Sequence, residues 1–164
     1  MKKTVMFIVL CMLSISTYAQ KDKLYEDARK FESLEMYELS ITILYDLVEL
    51  SSSTGELSFL HMRIGRHFLN PSINKRMLAE WHLRKATEFL ADDINSGNFT
   101  KSKSKEKMEE EIAEIFELRS MNFLKMGNQK MACRCFSDAT LIHPEGSAGL
   151  NERGVKWYKA NCTD

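Results

Sequence analysis

FELRSMNFLKMGNQKMACRCFSDATLIHP, residues 116–144, decides how the rest of the chain is read. Its apolar residues recur three and four positions apart, which is the period of a helix with one buried face, and no strand-length alternation interrupts them. Gly127 and Asn128 interrupt the pattern at a point suited to a tight turn, and Pro144 ends it. The spacing therefore predicts a helix over about residues 105–125, a turn of a few residues, and a second helix over QKMACRCFSDATLI. So short a turn forces the two helices to lie antiparallel.

Working outward, the same unit occurs twice upstream. KLYEDARKFESL places Leu24, Ala28, Phe31 and Leu34 on one stripe, and YELSITILYDLVEL does so with Ile41, Leu44, Leu47 and Val48. GELSFLHMRIGRHFL and KRMLAEWHLRKATEFL form a further pair across NPSIN, where Asn70 and Pro71 stop a helix. Small residues recur where the helices of each pair would cross, Ala28 with Ser40, Gly65 with Ala79, and Ser120 with Ala132. Phe31, Phe68 and Phe123 each follow the first member by three positions. Small side chains at a crossing let helix axes approach to the short end of the usual range. The expected fold is all-α: about three antiparallel hairpins plus a terminal helix in SAGLNERGVKWYKANC. A polar connector is expected near residues 92–104, inside ADDINSGNFTKSKSKEK.

MKKTVMFIVLCMLSISTYAQ opens the chain with Lys2 and Lys3, an apolar run from Val5 to Leu13, and a polar stretch ending at Ala19. That order reads as a secretory signal peptide over residues 1–19, followed by a single domain over 20–164. Leu10 precedes Cys11 where lipoprotein processing would use a small residue, so lipidation is not expected. No segment supplies the roughly 20 apolar residues that an integral membrane helix needs. Cleavage would leave 145 of 164 residues, with 21 basic and 23 acidic side chains, a balance that favours neither nucleic acid nor an anionic membrane surface. The expected location is periplasmic or secreted.

The residues just named resemble the tetratricopeptide repeat family. Phe116, Ser120, Phe123, Gly127, Ala132, Phe136, Ala139 and Pro144 stand where that family's motif places its aromatic, small, turn and closing residues. Gly154 and Trp157 look like the start of a further first helix. The middle pair is similar through Gly65, Phe68, Ala79, Leu83 and Ala86, with a turn two residues longer, and AEWHLRKATEFL is also similar to Sel1-like repeats. The first pair departs by carrying Glu35 where the third has Gly127. The resemblance implies a short right-handed α-solenoid that binds a protein or peptide and carries no catalysis and no cofactor. It further implies a concave groove lined by Tyr25, Arg29, Met62, Arg66, Met121, Lys125 and Tyr158, suited to an extended peptide of acidic character.

Cys133 and Cys135 lie two apart on one helix, roughly 200° around its axis, so they neither share a ligand nor bond to each other. Cys133 follows Ala132, where the resemblance implies a buried aliphatic side chain, and Cys135 is expected on the exposed side in line with Met131. A disulfide from Cys162 to either Cys133 or Cys135 is open. Met131, Cys135 and Cys162 define the alternative reading, a periplasmic thiol or copper(I)-handling protein. His61, His67 and His82 show no ligand spacing and are expected at the surface or half-buried. Glu109, Glu110 and Glu111 read as a solvated helix face. No phosphate loop, nucleophile elbow or Cys-His signature is present, so neither an enzyme nor a metal site is expected.

Overall fold

The computed structural model describes residues 2–97, 104–142 and 152–162, with side chains over 18–97, 104–142 and 156–162. Every regular element among them is a helix: α1 (Lys2–Ser33), α2 (Tyr37–Leu50), α3 (Thr54–Leu69), α4 (Arg76–Ser96), α5 (Lys105–Lys125), α6 (Gln129–Ile142) and α7 (Glu152–Asn161). The all-α expectation holds, and α1 packs on α2, α3 on α4, and α5 on α6. The chain divides into two compact units, residues 1–51 and 52–164. Pro144 lies outside the described residues.

In the first unit Ala28, Ser40, Ile41, Leu44 and Leu47 are buried between α1 and α2. Leu34, expected on the α1 stripe, is 57% exposed because the helix ends at Ser33 and the chain is already turning. The turn is closed by two backbone bonds, Met36 N–H to the Phe31 carbonyl at 2.9 Å and Glu35 N–H to the Glu32 carbonyl at 3.0 Å. That pair of bonds places Glu35 in the left-handed region at φ 57°.

The second unit is built from α3 to α7. Met62, Leu83, Ala86, Leu90, Met108, Ile112 and Ile115 form its core, with Leu69, Phe116 and Leu118 packed against it. Gly65 sits where α3 meets α4: a Cβ added there would lie 2.8 Å from Leu83 Cγ. Ala79 and Ala86 are wholly buried on the facing helix, and Ser58 Oγ donates to the Ala86 carbonyl at 3.1 Å. At the α5–α6 crossing Ser120 Oγ donates to the Ala132 carbonyl at 2.9 Å, and Phe136 and Ala139 are buried one and two turns on. Phe123, expected to pack like Phe68, is only half-buried, as is Phe31 in the first unit.

α4 runs through Ser96, so the first part of the connector expected near 92–104 is helical. Two contacts extend it: Ile94 packs on the core, and Thr54 Oγ1 hydrogen-bonds the buried carboxylate of Asp93. Gly97 then ends the helix at φ 67°. Ser104 restarts the chain as the N-cap of α5, its hydroxyl accepting from Lys107 N–H at 3.3 Å.

Candidate cationic pocket between α3, α4 and α5

α5 packs against both α3 and α4, and a pocket of about 240 Å³ opens where the C-terminal end of α3, the first turn of α4 and the second half of α5 meet. Arg66 and Leu69 line it from α3, Arg76 from α4, and Leu118, Met121, Asn122 and Lys125 from α5. The spacing on α5 explains the last four: residues three and four apart share a face. Arg76 enters because the turn after α3 is long. Lys75 N–H closes it on the Phe68 carbonyl at 3.0 Å, which carries the start of α4 over to α5. Asn122 Nδ2 then donates to the Arg76 carbonyl at 3.0 Å.

The pocket is layered. Asn122 is wholly buried at its floor; Leu69, Leu118 and Arg76 are half-buried walls; Arg66, Met121 and Lys125 are exposed at the rim. Three of the seven lining residues are cations and none is a carboxylate, so the site favours an anion or the negative end of a dipole. Arg66 also reaches out to Glu114 on α5, which fixes its guanidinium beside the opening. Among the described residues three side-chain polar atoms are buried without partners: Arg76 Nη1, a donor, and two acceptors, Asn122 Oδ1 and Glu80 Oε2, the last one turn along α4 from Arg76.

Of the groove residues expected from register, the structure brings Arg66, Met121 and Lys125 together around this one pocket. Met62, expected beside them, is 8% exposed and belongs to the core, because its turn of α3 is covered by α4 and α5. Tyr158 stacks on Phe136 with ring centroids 4.5 Å apart, which takes its ring away from any groove. Tyr25 is half-buried and Arg29 exposed on α1, in the first unit. Trp157 is half-buried and Gly154 lies within α7. Arg76 and Asn122 were not anticipated. Arg76 stands on a second helix, outside the register used to choose groove positions, and Asn122 is a polar residue between Ser120 and Phe123 that could have been flagged for that reason.

The cysteines correct the reading of α6. Cys133 is bonded to Cys162, with Cα atoms 5.4 Å apart, and Cys135 is buried, 2% exposed. The expected faces are exchanged, since Ala132, Cys135, Phe136 and Ala139 follow the three-and-four spacing of one buried stripe whereas Cys133 falls on the side that meets α7. Burial pushes the Cys135 thiol up to about 11, the opposite of what a nucleophile or metal ligand requires.

The histidines require a second correction. His61 and His82 are 6% and 1% exposed, and their Nδ1 atoms meet at 2.9 Å between α3 and α4. At that distance one ring donates its Nδ1 hydrogen and the other accepts, so the accepting ring is neutral. Burial holds His82 down to about 4, helped by His61; burial and then Lys85 lower His61. Sequence alone had His61 and His82 in separate helices, and only the crossing at Gly65 and Ala79 brings the helices close enough to pair them. Among the described residues no group of three His, Cys, Asp or Glu side chains is placed to hold a metal ion. No helix there is long and apolar enough to cross a membrane.

Comparison with known proteins gives no match, whether against family models, curated proteins or solved structures.

Proposed function

We propose that this chain is a non-catalytic adaptor of the bacterial envelope, exported by residues 1–19, that holds an acidic segment of a protein partner against the α3–α5 face. Its helical pairs are read as a short right-handed α-solenoid of the tetratricopeptide kind, a stack that offers a preformed surface and so avoids the ordering cost of a flexible binder. The packing of α5 on both α3 and α4 is what such a pair-on-pair stack requires, and the equivalent crossings at Ala28, Gly65 and Ser120 support it. The observation that carries the ligand assignment is the convergence of Arg66, Arg76 and Lys125 on one pocket with no lining carboxylate. The alternative thiol or copper reading draws no support from a buried Cys135 and from Cys133 and Cys162 joined to each other.

The test is calorimetric titration with an Asp/Glu-rich peptide at low ionic strength. Binding should weaken with salt and fall at least tenfold in the doubly substituted Arg66→Glu, Lys125→Glu protein, while a Lys-rich control peptide does not bind. Equal affinity of the substituted and unsubstituted proteins would overturn the reading.

A further inference from the structure

Resting on the export reading, we infer that Gln20 is a modification site: once residues 1–19 are removed it becomes the first residue of the chain and closes into an N-terminal pyroglutamate. Cleavage after Ala19 follows from the small side chains of Thr17 and Ala19 at the end of the leader. The residue it exposes is a glutamine, whose α-amine reaches its own side-chain carbonyl carbon in an unstrained lactam ring. The amine nitrogen adds to Cδ, the N–Cδ bond forms, the Cδ–Nε2 bond breaks, and Nε2 leaves as ammonia with the proton that the amine gives up. One amide replaces another, nothing is oxidised or reduced, and no co-reactant is consumed.

The structure leaves this end of α1 open to the reaction. Tyr18, Ala19 and Gln20 are all exposed, and Ala28 is the first buried residue of the helix among those whose side chains are described. About two turns of helix therefore separate Gln20 from the first side chain locked in the core. Within the uncleaved helix the backbone N–H of Gln20 points to a carbonyl four residues earlier, and cleavage takes that carbonyl away with the leader, as it does for the next three N–H groups. The nitrogen that must attack is thus left without an intrahelical partner.

Only the neutral amine attacks, and its surroundings favour that form. The unpaired N–H groups of the first turn carry the positive end of the helix dipole, and Lys21 and Lys23 add two cations against the single carboxylate of Asp22. Ring closure also removes the unfavourable charge for good, because a lactam nitrogen is uncharged and α1 then starts without an ammonium at its positive end. A chain closed in this way offers no α-amine to an aminopeptidase.

The experiment expresses the full chain in a bacterium, purifies it from the envelope fraction and holds it at neutral pH for several days. Free amines are then methylated with formaldehyde and a borohydride before digestion, so that ring closure during later handling is not counted. Cleavage after Glu26 releases the N-terminal peptide for mass spectrometry. The expected peptide spans residues 20–26, lacks the mass of one ammonia and carries methyl groups on Lys21 and Lys23 alone. Gln20→Glu, whose ring closure would have to expel water in place of ammonia, should carry them on its α-amine as well. A methylated α-amine on most Gln20 chains, a first residue other than Gln20 within the cleaved protein, or a Gln20→Glu chain blocked to the same extent would each overturn the pyroglutamate and leave export standing. A chain that still begins at Met1 would sink the export reading and this inference with it.

Discussion

The turn between α1 and α2 and the turn between α5 and α6 are the same object made from different residues. In the first, Met36 N–H reaches the Phe31 carbonyl and Glu35 N–H the Glu32 carbonyl; in the second, Asn128 N–H reaches the Phe123 carbonyl at 2.8 Å and Gly127 N–H the Leu124 carbonyl at 2.9 Å. Glu35 and Gly127 hold the same left-handed backbone, at φ 57° and 76°. Asn128 goes on to cap α6, its Oδ1 accepting from Met131 N–H at 3.1 Å, whereas Met36 gives α2 no side-chain cap. The lesson is that the turn is imposed by how the two helices pack. Where the helices cross at a small residue with a phenylalanine three positions on, the chain closes on that phenylalanine's carbonyl even when the left-handed position is a glutamate. The middle hairpin makes the same point with two more residues, since its long turn still closes on Phe68.

The largest test of this equivalence is to remove the three phenylalanines in turn. Phe68 is 5% exposed, and Phe68→Ala should cost about 3–5 kcal/mol in urea denaturation. Phe31→Ala and Phe123→Ala should cost clearly less, because those rings are half-buried. Three equal losses would mean that the hairpins are closer in packing than they look.

Acid should single out the middle hairpin next. His82, held down to about 4, and His61, also lowered, bind fewer protons folded than unfolded. Their contribution is therefore full above the unfolded histidine value near 6.5 and is lost as the pH falls toward 4, by about 3 kcal/mol for His82. Chemical denaturation of residues 52–164 between pH 7 and pH 4 should show that loss, and His82→Phe should flatten it. A pH-independent midpoint would show that the imidazoles do not meet in solution.

Gly65→Ala should cost about 1–3 kcal/mol, since the new Cβ would lie 2.8 Å and 2.9 Å from two atoms of fully buried Leu83. Ser120→Ala should cost about 1 kcal/mol, through loss of the bond to the Ala132 carbonyl alone. The contrast separates a crossing limited by space from one held by a hydrogen bond.

The smallest effects concern the turns themselves. Gly127→Ala should destabilise by about 1 kcal/mol, and purely through its backbone, as nothing lies within 4 Å of the added Cβ. Glu35→Gly should stabilise the first hairpin by about 1 kcal/mol, somewhat reduced by the freedom glycine adds to the unfolded chain. Thermal denaturation of the two variants should shift in opposite directions.

Periodicity alone determined that the described chain is helical, which small residues stand at each crossing and, except at the start of α1 and the end of α4, where its helices begin and end to within a few residues, because those properties depend on neighbours three and four positions apart. It also placed Arg66, Met121 and Lys125 on faces that could meet. What lay beyond it were facts set by contacts distant in sequence. One is the bonding of Cys133 to Cys162, 29 positions apart, across the contact of α6 with α7; another is the meeting of His61 with His82 across a helix contact. The third is the approach of Arg76 to Asn122, 46 positions apart, which makes a pocket from two residues that no local pattern joins. A helix's buried face is written in its own sequence, but the partner that covers each side chain is chosen only when the helices pack.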